Sequence, residues 1–181
     1  MIILGICNDE TSSACLMRDG EIICAASEER FTRIKLDNSF PNLSIKFCLS
    51  FAEIVLSEVN VIAYSWTKGL QQDLITSFVE LGGRYLNDDN AHEIIKERIF
   101  WEIERDKNKR VEFDNWVKSN IDLSKQQVMD FYHHESHAAS AAFFSSFDNG
   151  YVYTSDGRGD FESTTIYKFD RFAKCKLTKI Y

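Results

Sequence analysis

Ile2-Ile3-Leu4-Gly5-Ile6-Cys7, then Ser13-Ala14-Cys15-Leu16-Met17, Arg18-Asp19-Gly20 and Glu21-Ile22-Ile23-Cys24-Ala25-Ala26 open the chain. The first run is continuously apolar, the mark of a strand buried on both faces. Asp-Gly between two apolar runs is a hairpin signal, because both central residues of a tight I′ turn need positive φ. Working outward, Pro41 suits the first turn of a helix, and Ile45, Cys48, Leu49 and Ala52 recur behind it at helical spacing. Val59–Trp66 reads as another strand, Val128–Tyr132 as the next, and the alanine-rich run Glu135–Phe144 as a helix. Tyr151–Ser155, Ser163–Phe169 and Lys174–Tyr181 follow as strands, with glycine turns at Asn149-Gly150 and Asp156-Gly157. A meander, a helix, a strand, helices, a strand, a helix and a second β-run predict layered α/β architecture, with a second meander beginning near the end.

Residues 67–125 differ in character. Leu74, Ile75, Phe78 and Val79, then Ile95, Ile99 and Ile103, recur at helical spacing, and Arg84 to Arg110 holds seven basic and seven acidic residues. The balance predicts a helical insertion, with Lys107–Arg110 a solvated helix end rather than a nucleic-acid patch.

Composition excludes several classes. The 181 residues are 44% hydrophobic and 27% charged, a globular balance rather than a disordered one. At this length roughly 70% of the unfolded chain's surface is buried on folding, enough for a real core. A net charge of −7 argues against a general binder of nucleic acid or anionic membrane. No stretch approaches the ~18 apolar residues of a membrane span. Cysteines 7, 15, 24, 48 and 175 form no C-x-x-C pair, so they read as small buried hydrophobes of a reducing cytoplasm.

Three stretches carry candidate chemistry. In His133-His134-Glu135-Ser136-His137, His133 and His137 lie four apart and share a helix face, where they can hold one metal ion. A zinc-protease H-E-x-x-H would need histidine where Ala138 stands. Asp156, at a strand end in Asp156-Gly157-Arg158-Gly159-Asp160, can add a carboxylate ligand while the glycine-flanked backbone approaches a phosphate; a polar β-turn uses the same residue types. Two histidines and one carboxylate leave coordination positions open, suiting iron(II), manganese or zinc as a Lewis acid. Asn8-Asp9-Glu10-Thr11-Ser12-Ser13 can hold a second phosphate or be an acidic hairpin loop. Glu28-Glu29-Arg30-Phe31-Thr32-Arg33-Ile34-Lys35 brings three cations that can neutralise an oxyanion, or forms a charged connection held by internal ion pairs.

Taken in order, Asp19-Gly20-Glu21-Ile22, Ser27 to Lys35, Phe40-Pro41, His133 to Ala141 and Asp156 to Thr165 resemble the amino-terminal part of the NodU/CmcH family of O-carbamoyltransferases. The resemblance spans nearly the whole chain apart from the helical insertion. It implies an actin/Hsp70/sugar-kinase-like (ribonuclease H-like) lobe with a mixed sheet in residues 1–145. The opening meander of a second, truncated lobe would occupy residues 146–181. It implies carbamoyl phosphate and ATP as substrates, converted to carbamoyl-adenylate largely in a separate YrdC-like domain of the same polypeptide. The carbamoyl group then passes to a hydroxyl of a small sugar-like or antibiotic acceptor.

By motif match, His133, His137 and Asp156 would be metal ligands, with Fe(II) favoured over Mn or Zn. Asp156, Gly157, Arg158, Gly159 and Asp160 would contact nucleotide phosphates, with Ser12 at the second phosphate, and Lys35 the carbamoyl or phosphate oxygens. The family's histidine near the first hairpin is missing, so either Asp9 or Glu10 takes the base role or the acceptor chemistry differs; Arg158 replaces a small apolar residue. The family's length implies that this stretch alone turns over nothing. Pairing with a second copy through exposed apolar surface is a further expectation. Threonylcarbamoyl transfer to tRNA by a fold relative, or a non-catalytic nucleotide- or metal-binding interaction module docking through residues 67–125, are the competing readings.

Overall fold

A computed structural model describes residues 1–66, 89–157, 159–160, 162–174 and 176–181. The order is β1 (Ile2–Cys7), β2 (Ser13–Arg18), β3 (Glu21–Ser27), α1 (Glu29–Thr32), α2 (Asn42–Phe51), β4 (Val61–Tyr64), α3 (Asp89–Asn120), β5 (Gln127–Asp130), α4 (His133–Phe144), β6 (Asn149–Ser155), β7 (Thr164–Asp170) and β8 (Leu177–Lys179). Two compact units result. The first joins Met1–Tyr64 to the described residues up to Met129; the second joins Ser65 and Trp66 to Asp130–Tyr181. Among the described residues no helix is long and apolar enough to cross a membrane.

In the first unit the hairpin forms as the Asp-Gly signal predicts. Asp19 and Gly20 are the whole turn, with φ of 54° and 92°, and β2 pairs antiparallel with both β1 and β3. β1 pairs parallel with β4, giving a five-stranded mixed sheet of order β3-β2-β1-β4-β5. A mixed sheet is what the resemblance implies. Pairing puts Leu4, Ile6, Ala14, Leu16, Ile62 and Tyr64 on one face, all buried. The other face of β1 (Ile3, Gly5, Cys7) is only half-buried, so β1 is not enclosed equally on both sides.

The carboxylate of Glu28, only 2% exposed, explains where α2 starts. It accepts the Leu43 and Ser44 N–H groups at 2.9 and 2.8 Å and the Ser44 hydroxyl at 2.7 Å, three donors at a helix N-terminus where N–H groups lack intrahelical partners. Ile45 and Cys48 then face the sheet as their spacing predicts. Burial pushes the Cys48 thiol up to about 12, assisted by its hydrogen bond with Cys24, the chemistry of a packed thiol rather than a reactive one.

The long helix corrects one expectation. Lys107–Arg110 is not a helix end, since α3 continues to Asn120. Phe113 and Val117, four apart and buried, give the extra turns an apolar face, and Phe113 stacks on Tyr64 with centroids 4.0 Å apart. Arg110 pairs with Asp114 at 3.0 Å and lies over the Tyr64 and Phe113 rings, while Lys109 donates to the Asn38 carbonyl. The expected helical run at 67–88 and the side chains of Ile95, Ile99 and Ile103 lie outside the described residues.

In the second unit β6, β7 and β8 form an antiparallel three-stranded sheet. Asn149-Gly150 is the first pair of β6 rather than a turn. α4 lies on this sheet through Ala138 and Ala142, packed with Val152, Tyr167 and Phe169; alanine at i and i+4 allows close approach. Arg171 closes the helix end, donating to the Ser145 and Phe147 carbonyls at 2.9 and 3.0 Å, where a cation suits the orphan carbonyls.

Candidate metal centre

The second unit brings together the three residues expected to bind metal. α4 begins two residues earlier than its alanine-rich run suggests, at His133, so both histidines lie in its first two turns. Asp156 follows the last residue of β6. His133 Nε2 is 3.0 Å from Asp156 Oδ2 and 3.0 Å from His137 Nε2, and His137 Nε2 is 3.3 Å from the same carboxylate oxygen. Two ligands bound at right angles to one ion, each about 2.1 Å away, are themselves about 3.0 Å apart. Ligands at the tetrahedral angle lie about 3.3–3.4 Å apart, so the three atoms are close enough to share one ion of either geometry, the two-histidine, one-carboxylate arrangement with its remaining positions open. His137 and Asp156 side chains are 51% and 43% exposed, so the open side faces solvent within this unit.

The surroundings hold this geometry. Gly157 N–H donates to Asp156 Oδ1 at 2.6 Å, which leaves Oδ2 for the histidines. Hydrogen bonding to His133 chiefly, and to Gly157, holds the Asp156 carboxyl below its ordinary range, keeping it an anion. Trp66 stacks on the His133 ring with centroids 4.4 Å apart. Asp160 is buried and accepts the His133 backbone N–H, so its charge neutralises the start of α4. His134 is buried, and burial pushes its imidazole below the ordinary histidine range, with His137 adding to the effect.

The other candidates are divided between the two units. Gly157 is open to solvent-side space, whereas a Cβ at Gly159 would overlap the His134 ring. Arg158 lies outside the described residues. In the first unit, Asp9 and Glu10 each lie 3.4 Å from Arg105. Ser12 is fully buried in its backbone bonds to Asp37 and Glu28, and among the described residues its hydroxyl has no partner. Lys35 is exposed on the turn after α1. Sequence reading assigned no role to His134 or Trp66. The buried spacing of His134, Ala138 and Ala142 at i, i+4, i+8 is the signal that could have set His134 apart from its neighbours.

Comparison with known proteins gives the family of the chain. Residues 2–180 match the family model described as carbamoyltransferase N-terminus. An uncharacterized protein of Synechocystis sp. is 35% identical over 164 residues, covering 86% of this chain and 25% of that protein. Nodulation protein NolNO of Sinorhizobium fredii is 30% identical over 151 residues, covering 83% of this chain and 20% of that one. Among solved structures, YeaZ from Pseudomonas aeruginosa aligns with a TM-score of 0.42 at 10% identity, over 100% of this chain and 64% of that chain. The chain belongs to the carbamoyltransferase family, of which it carries the amino-terminal region. It spans a quarter or less of the length of the two curated relatives named here.

Proposed function

We propose that this chain is the metal-binding amino-terminal part of an ATP- and carbamoyl phosphate-dependent O-carbamoyltransferase, which moves a carbamoyl group from carbamoyl-adenylate to a hydroxyl of a small sugar-like or antibiotic acceptor. The observation that carries the reading is the convergence of His133 Nε2, His137 Nε2 and Asp156 Oδ2 within 3.3 Å on a chain of this family. The donor set fits a divalent ion that takes nitrogen and oxygen ligands, Fe(II) first, with Mn(II) or Zn(II) also suited. When bound, such an ion supplies positive charge to phosphate or carbonyl oxygens of ATP or carbamoyl-adenylate.

The remaining roles belong to the protein's own residues. The open backbone at Gly157 leaves room for a phosphate beside Asp156, whereas Asp160, an anion turned to the start of α4, orients His133. Lys35, exposed and cationic, is suited to carbamoyl or phosphate oxygens. The buried Ser12 hydroxyl can serve a ligand oxygen. Asp9 or Glu10 would take the acceptor's proton, with Arg105 fixing the carboxylates in place. β6–β8 would open a second lobe, completed together with the adenylate-forming domain by further polypeptide of the length seen in the relatives.

The test is carbamoyl transfer by a full-length protein carrying this region, with carbamoyl phosphate, ATP and a panel of hydroxyl acceptors. Asp156→Asn and Lys35→Ala are each expected to lower turnover at least a hundredfold. Wild-type turnover in both variants, or modification of tRNA without transfer to small acceptors, would overturn the reading.

A further inference from the structure

His134 sits between the two candidate ligands in sequence yet is buried where they are more exposed, and its hydrogen bonds fix its chemistry. The Glu162 carbonyl can only accept, and it lies 2.8 Å from His134 Nε2, so the ring proton is on Nε2. Nδ1 must then accept, and the Thr154 hydroxyl donates to it at 2.7 Å. Having used its hydrogen, Thr154 Oγ1 accepts in turn from Thr165 at 2.6 Å. Four polar groups are thus satisfied in one buried, directional chain running from β7 through β6 to α4 and back to the segment before β7.

We propose that His134 is a positioning residue for the metal centre, clamping both ligand-bearing elements through one ring. The inference rests on the reading that His133, His137 and Asp156 hold a divalent ion. On one side, the bond to Thr154 sets how α4 is rotated on the sheet. Successive helical residues are about 100° apart, so seating His134 with Ala138 and Ala142 against β6 and β7 turns His133 and His137 onto the flank facing Asp156. On the other side, Gly159 and the Glu162 carbonyl lie against the imidazole. Gly159 touches it so closely that no Cβ fits, and Gly159 N–H shares the Glu162 carbonyl at 2.7 Å. These residues follow Asp156 in the chain and flank Asp160, which holds the His133 N–H. Removing the ring's two hydrogen bonds frees the helix and this stretch together, and ligand atoms 3.0–3.3 Å apart then drift from a common centre.

The experiment is titration of this chain with Co(II), read by visible absorption, and with Mn(II), read by quenching of the tryptophan emission in a Trp101→Phe/Trp116→Phe background that leaves Trp66, stacked on His133, alongside thermal melting without metal. His134→Phe keeps the ring volume and removes both bonds; it is expected to weaken Co(II) binding at least tenfold and to change the Co(II) spectrum. His134→Gln, which can restore one bond, should recover part of the affinity. Thr154→Val, nearly isosteric, should weaken binding about threefold, and it decides the matter if His134→Phe does not fold. A folded His134→Phe or Thr154→Val with wild-type affinity and spectrum overturns the positioning role, as does a loss of melting temperature without change at the metal. His137→Ala separates the two failures: if it binds Co(II) as tightly as wild type, the metal reading itself is wrong.

Discussion

Replacing Glu28 tests why the segment after β3 carries consecutive glutamates. The carboxylate accepts two backbone N–H groups and one hydroxyl at the start of α2 while almost wholly buried. A hydrogen bond to a charged group contributes about 1.5–3 kcal/mol, and loss of a helix cap costs about 1 kcal/mol. The three bonds share one acceptor group and do not add, so Glu28→Ala is expected to cost about 3 kcal/mol. Glu28→Gln keeps one acceptor oxygen but turns an NH2 toward a donor, and should cost about half as much. Ser44→Ala removes only the hydroxyl bond, at about 1 kcal/mol. For a chain of this size 3 kcal/mol lowers the melting temperature by about 6–12 °C. Urea denaturation followed by circular dichroism measures the series directly. The double variant Glu28→Ala/Ser44→Ala should cost less than the sum, because Ser44 has lost its partner. Glu28→Ala and Glu28→Gln both within 0.5 kcal/mol of wild type would refute the capping role.

Other expectations follow from the same contacts. Arg171→Ala should lower stability by about 2 kcal/mol and Arg171→Lys should recover only part, since an ammonium cannot fork between the Ser145 and Phe147 carbonyls; denaturant unfolding checks both. Ala138→Leu, overpacking the helix–sheet contact, should cost about 1–3 kcal/mol and weaken Mn(II) binding, because it lifts α4 away from β6; calorimetry measures the two effects together. The N-terminal ammonium holds the Asp19 carboxyl below its ordinary range. The folded state binds that proton less tightly than the unfolded one, so this contribution is complete above the unfolded value of 3.8 and is lost as pH falls through the lowered folded value. Asp19→Asn should flatten that acid limb in a stability–pH profile, and an unchanged limb would assign it to other carboxylates.

Much of the fold was legible because local rules and tertiary packing agree there. Asp19-Gly20 demanded a tight hairpin, and the sheet uses it unchanged. Ile45 and Cys48 marked the buried face of α2, and the spacing of His133 and His137 anticipated a shared helix face. What escaped reading depended on partners far apart in sequence. Lys107–Arg110 looked solvated because its charges balance locally, yet Arg110 is held over Tyr64 and Phe113, and Tyr64 comes from another element. Glu28 looked like one charge in a mixed run, and only the fold brings Ser44 to it. Asp160 gave no sign in the sequence that its carboxylate would be buried and accept the His133 N–H at the start of α4. For His134 the only sequence signal was its spacing with Ala138 and Ala142, and its partners Thr154, Gly159 and Glu162 lie 20 to 28 residues onward.

The central claim is that His133, His137 and Asp156 form one metal centre in this carbamoyltransferase amino-terminal region. Its most direct test is a crystal structure of the chain grown with Mn(II), with data collected at the manganese absorption edge. The account predicts one strong anomalous peak about 2.0–2.2 Å from His133 Nε2, His137 Nε2 and an Asp156 oxygen, absent from the His137→Ala protein. A peak elsewhere with these three side chains unengaged, or no peak at saturating Mn(II), would contradict it.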